Sequence, residues 1–136
     1  MTGKSPRKNV DALYWQGGLR AAQAYLEAAQ QALILAEPGQ NASPAVSQIV
    51  LAAIAYGDSL TAKRGLVVNQ QDHASAPRLL REVLRNTLPE AQARRFRRIL
   101  GLKDEAHYGT RLTSIDEARR LLVELESFAR WAEDLL

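Results

Sequence analysis

The sequence predicts an all-α protein, an up-and-down bundle of four to six helices in one domain. Three observations point there. Alanine, leucine, arginine, glutamate and glutamine dominate, and these are strong helix formers. Apolar residues recur at spacings of three and four along most of the chain, the period of one helical face. The periodic segments are joined by short polar turns, which favour antiparallel neighbours. Only Leu66-Val67-Val68 reads as extended chain. With 136 residues, 46% hydrophobic and 24% charged, the chain can close one core but not two.

Residues 1–10 are expected to form a flexible basic tail, with the helical domain over 11–136. The first helix is expected from near Asp11 to about Glu37, where Pro38-Gly39 stops it. Leu19, Ala22, Leu26, Ala29, Leu33 and Ala36 share one face, and the flanking alanines allow close approach of a neighbour. Gly17-Gly18 marks either a kink or the true start, since glycine in a helix interior costs about 1 kcal/mol. The second helix opens with Ser43 as N-cap and Pro44 at the first position. It runs through Ile49, Val50, Ala53, Ile54, Tyr56 and Leu60 to Gly65, the expected left-handed stop.

After a loop carrying Asn69 to His73, a third helix is expected from Ser75 to near Asn86. Thr87-Leu88-Pro89-Glu90 then has the form of a capping box, opening a fourth helix that ends near Leu100, before Gly101. A short turn of helix over 102–108 and a loop over 109–113 lead to the clearest segment. There Ser114-Ile115-Asp116-Glu117 is a second capping box, with acids suited to the positive end of the helix dipole. Ala118, Leu121, Leu122, Leu125, Phe128, Ala129 and Ala132 then trace one face. Burying each large apolar side chain of that face contributes roughly 1.5–3 kcal/mol.

Composition excludes several classes of function. The chain has no cysteine, hence no disulfide framework, thiolate metal site or cysteine nucleophile. No apolar run approaches the length of a membrane span, and the basic N-terminus lacks the apolar stretch of a signal peptide. The expected compartment is therefore the cytoplasm, without a membrane partner. A net charge of +3 permits contact with nucleic acid without demanding it. There is no Ser-His-acid grouping, nucleophile elbow or dinucleotide fingerprint. A helix-turn-helix also fits poorly, because a long loop separates the second and third helices.

A few constellations could carry chemistry. Asp104-Glu105-Ala106-His107 spells the acidic box of one helicase class, but that box works only beside a Gly-rich phosphate loop, which is absent. Asp104 and His107 lie one helical turn apart, yet a bundle metal site needs carboxylates from several helices. Only Glu27 and Asp58 stand near other helix centres, so no metal and no cofactor is expected. Asp72-His73 reads either as a turn and helix-entry device or as a general base or phosphate contact. Asp58 follows Tyr56-Gly57 among small and apolar residues. A buried carboxylate needs a partner: an Arg, a Lys, or a hydroxyl such as Tyr25 or Tyr108.

The arginines are unevenly distributed. Residues 78–98 hold seven arginines against two glutamates, whereas 116–134 hold six acids against three arginines. Arg78, Arg81 and Arg85 are spaced to share one stripe of the third helix. Either a basic helix lies against an acidic one, or the arginines form a surface for phosphate oxygens, which suit guanidinium forks. Only Phe96 interleaves with them, so no base-stacking platform is indicated.

Several of these pieces together resemble the HEPN (higher eukaryote and prokaryote nucleotide-binding) domain. They are Tyr25-Leu26 in the first helix, Tyr56-Gly57-Asp58-Ser59-Leu60-Thr61-Ala62 before Gly65, and Asp72-His73. Lys103-x-x-Ala106-His107-Tyr108 follows, where small bacterial members carry Arg-x-x-Ala-Asp-Tyr, and then Ser114-x-x-Glu117-Ala118 leading to Phe128. The resemblance covers about residues 12–136. It implies a helical bundle, a homodimer, and a companion nucleotidyltransferase or antitoxin protein in a toxin–antitoxin setting.

Many members of that family are ribonucleases that bring together an Arg and a His four to six residues apart across a dimer interface. Here three residues separate Lys103 from His107, eight separate Arg98 from His107, and lysine lacks the planar fork of arginine. The expectation is thus a non-catalytic binding module for RNA, nucleotide or a companion protein. Arg78, Arg81, Arg85, Asp58, Asp72, His73, Asp104 and Tyr108 are its candidate binding residues. The alternatives are a metal-independent ribonuclease, with His107 as acid or base and Lys103 stabilising the phosphorane, and a structural assembly subunit.

Overall fold

Helix α1 (Tyr14–Ile34) and helix α2 (Ser43–Gly65) form the longest packed pair of the protein. The computed structural model describes residues 5–70, 72–103 and 113–136. Helices α3 (Ala76–Leu84), α4 (Glu90–Leu100) and α5 (Ile115–Leu135) complete an all-α bundle around α2, which packs against each of these and α1. Strands β1 (Arg7–Asn9) and β2 (Val67–Asn69) add a small antiparallel sheet, with Lys8 opposite Val68.

The central position of α2 follows from its composition. Buried residues surround it on nearly every side, among them Val46, Ile49, Val50, Ala53, Tyr56 and Leu60. By length and composition it is the one described helix long and apolar enough to cross a membrane, and 67% of that stretch is buried within the bundle. Such a helix is hydrophobic all round because it has neighbours all round. In contrast, α1 buries only Ala22, Ala29 and Leu33, the narrow stripe expected of a helix covering one side of a core.

Small residues set how closely the helices approach. The glycine pair of α1 is not the helix start, since α1 begins at Tyr14. A Cβ on Gly18 would stand 2.8 Å from Ser59 Oγ, and that hydroxyl donates to the Trp15 carbonyl across the interface at 2.7 Å. Gly57 of α2 makes room for Phe96 of α4, whose Cζ would lie 2.7 Å from an added Cβ. Phe96 in turn stacks on Phe128 of α5, with centroids 5.1 Å apart. The Tyr56 hydroxyl, at the heart of α2, donates to Glu133 of α5 at 2.5 Å.

Several local expectations are corrected. Residues 5–10 are not a free tail: β1 pairs with β2, Ser5 is buried, and Ser5 and Arg7 both bond the Glu82 carboxylate of α3. Sequence composition reads as a tail there because the anchoring groups are polar and lie far away in the chain. Helix α1 is shorter than 11–37, since the Asp11 side chain and carbonyl form a turn with Leu13 and Tyr14. At the end of α2 it is Leu66, not Gly65, that takes the left-handed conformation, with φ 55°. Gly65 is needed elsewhere, as a Cβ there would meet Val83 at 3.0 Å.

Helix α3 ends two residues earlier than expected and is flanked by single 3-10 turns at His73–Ser75 and Arg85–Thr87. The Thr87 capping box does not form. Pro89 precedes α4 without a side-chain cap, Thr87 Oγ1 donates back to Leu84 O at 2.6 Å, and Glu90 turns to arginines instead. The Ser114 cap does form, its Oγ accepting from the Glu117 amide at 3.1 Å. The basic α4 lies against the acidic α5, where Glu124 receives both Arg95 and Arg98, at 2.6 and 2.7 Å.

Candidate functional site

The connection after β2 presents His73. Asn69, at the end of β2, donates through Nδ2 to the Asp72 carbonyl at 2.9 Å, and the Ser75 hydroxyl donates to Asn69 Oδ1 at 2.8 Å. These bonds clamp the 72–75 turn onto the sheet. A side chain on a clamped turn is held in one place. His73 is half-buried, and its Nδ1 is shielded from solvent with no hydrogen-bond partner among the described residues. Burial lowers its pKa from the ordinary 6.5, and the Lys103 ammonium lowers it further, against the opposing charge of Asp72. Near neutrality the ring is therefore uncharged, able to donate one bond and accept another.

Around it lies a cleft of about 680 Å³. Its walls bring Arg78 and Arg81 from α3 together with Arg97 from α4 and Lys103 beyond it, while Pro77 and Leu100 supply apolar surface. The geometry follows from the helical hairpin. Helix α4 folds back along α3 after the turn at 85–89, so the end of one helix stands beside the start of the other. Arg97 is the member of this set that the stripe on α3 did not reveal. The signal was present in the basic run of 78–98, but finding it required pairing the two helices about their turn.

The cations are held by acids at the rim. Arg78 Nε bonds Glu82 Oε1 at 3.0 Å. Arg81 Nη2 bonds Glu90 Oε2 at 2.8 Å, and Arg97 Nη2 lies 3.6 Å from Glu90 Oε1. Through Nη1, Arg81 also donates to the Arg85 and Leu88 carbonyls, at 3.2 and 3.1 Å, closing the turn between the helices. One carboxylate, Glu90, thus spans guanidinium groups of both helices. Such exposed pairs are individually weak, about 0–1 kcal/mol, so an anionic ligand can exchange for them.

The remaining candidates separate from this cleft. Arg85 leaves the stripe, because its backbone turns to φ 52° where α3 ends, and its side chain is exposed outside the cleft. Asp58 sits on α2 facing the two-stranded sheet. Burial raises its pKa to about 6, opposed by the Lys8 ammonium and by the Asn69 backbone amide, which donates to the carboxylate. Its partners are thus a lysine and an amide from the β-strands, not Tyr25. Asp104, His107 and Tyr108 lie outside the described residues. Among the described residues no group of three metal-ligating side chains is gathered. No protein-family model matches the chain, and no curated protein matches it in sequence.

Proposed function

We propose that this chain is a non-catalytic, HEPN-like helical module that binds RNA or a nucleotide through its phosphates, acting as a homodimer. The observation that supports the reading is the convergence of Arg78, Arg81, Arg97 and Lys103 beside the His73 ring. Guanidinium forks match phosphate oxygens bidentately, an ammonium adds a compact charge, and an uncharged imidazole can donate to a phosphoryl oxygen. The apolar patch of Pro77 and Leu100 offers ground for a sugar or base edge. Residues from α3, α4 and the 72–75 turn all contribute, so the fold itself assembles the site.

The test is binding of a single-stranded RNA oligonucleotide, and of ATP in a parallel arm, by fluorescence anisotropy across a salt series. Replacing Arg78 and Arg97 with Glu should weaken RNA binding by about 10-fold or more and flatten the dependence on salt. Arg85→Glu, outside the cleft, should leave affinity within about twofold at moderate salt. Absence of binding by the unaltered protein at low salt would refute the reading, as would equal losses in both variants. Light scattering checks the homodimer: a species of 15.0 kDa, the mass of one chain, at micromolar concentration would overturn that part.

A further inference from the structure

Resting on the phosphate-binding reading, we infer that the cleft selects a terminal phosphomonoester over the phosphodiester backbone, and that Glu90 sets this selectivity. At the rim of the cleft the Glu90 carboxylate lies within ion-pair distance of both Arg81 and Arg97, so a phosphate binding those two guanidinium groups must displace it. Arg78 shares the Glu82 carboxylate with Arg7, and Asp72 adds further negative charge to the cleft wall. Among the described residues, three of the four cations lining the cleft therefore already contact acids of the protein.

The consequence is electrostatic. A phosphodiester carries one negative charge, so when it takes the two guanidinium groups from Glu90 it exchanges one monoanion for another and gains little. A phosphomonoester near neutrality carries about −1.5 to −2 and presents three strong acceptor oxygens. It outcompetes the carboxylate and has oxygens left for Lys103 and His73, which also line the cleft. Glu90 is well placed to yield, because its side chain is 62% exposed and can swing into water while remaining solvated. The specificity comes as much from the resident anion as from the cations that bind, since a competitor raises the threshold every ligand must exceed.

The experiment is calorimetry with one eight-nucleotide RNA prepared in three forms: 5′-phosphorylated, 3′-phosphorylated, and with hydroxyls at both ends. With unaltered protein at pH 7.5, one phosphorylated form should bind about 10-fold more tightly than the all-hydroxyl RNA. In Glu90→Gln the all-hydroxyl RNA should gain most, and the ratio should shrink below about threefold. Glu90 is exposed, so a melting curve will verify that the variant is folded. Equal affinity of all three RNAs for the unaltered protein would overturn the selectivity while leaving phosphate binding intact. A ratio unmoved by Glu90→Gln, or weaker binding of every RNA, would overturn the role of Glu90. Failure of all three RNAs to bind would instead overturn the reading on which the inference rests.

Discussion

Asp58 of the central helix accepts the backbone amide of Asn69, and Asn69 in turn holds the turn that presents His73. A half-buried carboxylate of α2 is thereby joined, through a single residue, to the wall of the cleft. The Lys8 ammonium on β1 supplies its countercharge from the other strand. The two-stranded sheet thus serves chiefly as a mount, tying α2 to the loop that carries the candidate site.

That carboxylate should make stability depend on pH in a specific direction. Its pKa in the fold is about 6, against an ordinary 3.8, so the native state binds the proton more tightly than the unfolded chain. Its contribution is fully present below the unfolded value and is lost as pH rises through 6. The span corresponds to on the order of 2–3 kcal/mol. Asp58→Asn keeps an acceptor for the Asn69 amide but carries no charge. Urea unfolding should show the variant gaining on the unaltered protein between pH 5 and 7.5. A constant gap across that range would disprove the assignment.

Gly57 offers a test of the core. In isolation, Gly→Ala in a helix gains about 1 kcal/mol. Here the new Cβ would fall 2.7 Å from Phe96 Cζ, and Phe96 is itself fixed by stacking on Phe128. Overpacking costs typically 1–3 kcal/mol, so Gly57→Ala should lower the melting temperature. Adding Phe96→Leu should cost less in Gly57→Ala than in the unaltered protein, because it relieves the clash. A more stable Gly57→Ala protein would show that the helices can move apart freely.

How much of this was legible in the sequence depends on the range of the interactions. The Pro44 start of α2 and the Ser114 cap are readable because their signals are local, a proline in the first turn and a hydroxyl three residues from Glu117; Ser43 itself makes no side-chain cap, and the left-handed stop falls on Leu66 rather than Gly65. The pairing of arginines with acids on the last helix was readable as a charge imbalance, and appears as Arg95 and Arg98 on Glu124. What failed was decided at a distance. Ser5 and Arg7 are anchored by Glu82, which no composition window around residues 1–10 can sense. Thr87 and Glu90 have the spacing of a cap, but Arg81 and Arg97 provide the stronger partners for Glu90. At the site, Asp72, His73, Arg78, Arg81 and Lys103 were identified as separate candidates, and only the α3–α4 hairpin brings them to one cleft and adds Arg97.

His73 should link ligand binding to protons. In the unliganded protein burial and Lys103 favour the neutral ring, so the folded pKa lies below the unfolded one. That contribution to stability is present above 6.5 and lost as pH falls through the folded value. A bound phosphate adds negative charge beside Lys103, Arg78, Arg81 and Arg97 and reverses the electrostatic part of the shift. Binding then takes up a proton, and affinity should rise on acidification. The ratio of unaltered to His73→Gln affinity, which cancels any titration of the ligand itself, should grow by about three- to tenfold from pH 7.5 to 5.5. A flat ratio would place His73 outside the ligand's reach.

Arg85 separates conformation from charge. Its backbone stands at φ 52° and ψ −124°, a region that a residue with a Cβ occupies only at a cost of roughly 1–3 kcal/mol. The strain is tolerated because the Arg85 carbonyl receives the Arg81 guanidinium and the Leu88 amide, closing the turn that aligns α3 with α4. Both bonds use the main chain and survive removal of the side chain. Arg85→Gly should therefore raise stability, by about 1 kcal/mol after glycine's extra unfolded-state entropy is counted. Because the side chain lies outside the cleft, RNA affinity should stay within about twofold at moderate salt. Arg85→Ala retains the Cβ and should show no such gain. If glycine instead destabilises the fold, the guanidinium itself supports the turn; if RNA binding collapses, the basic stripe on α3 and not the cleft is the binding surface.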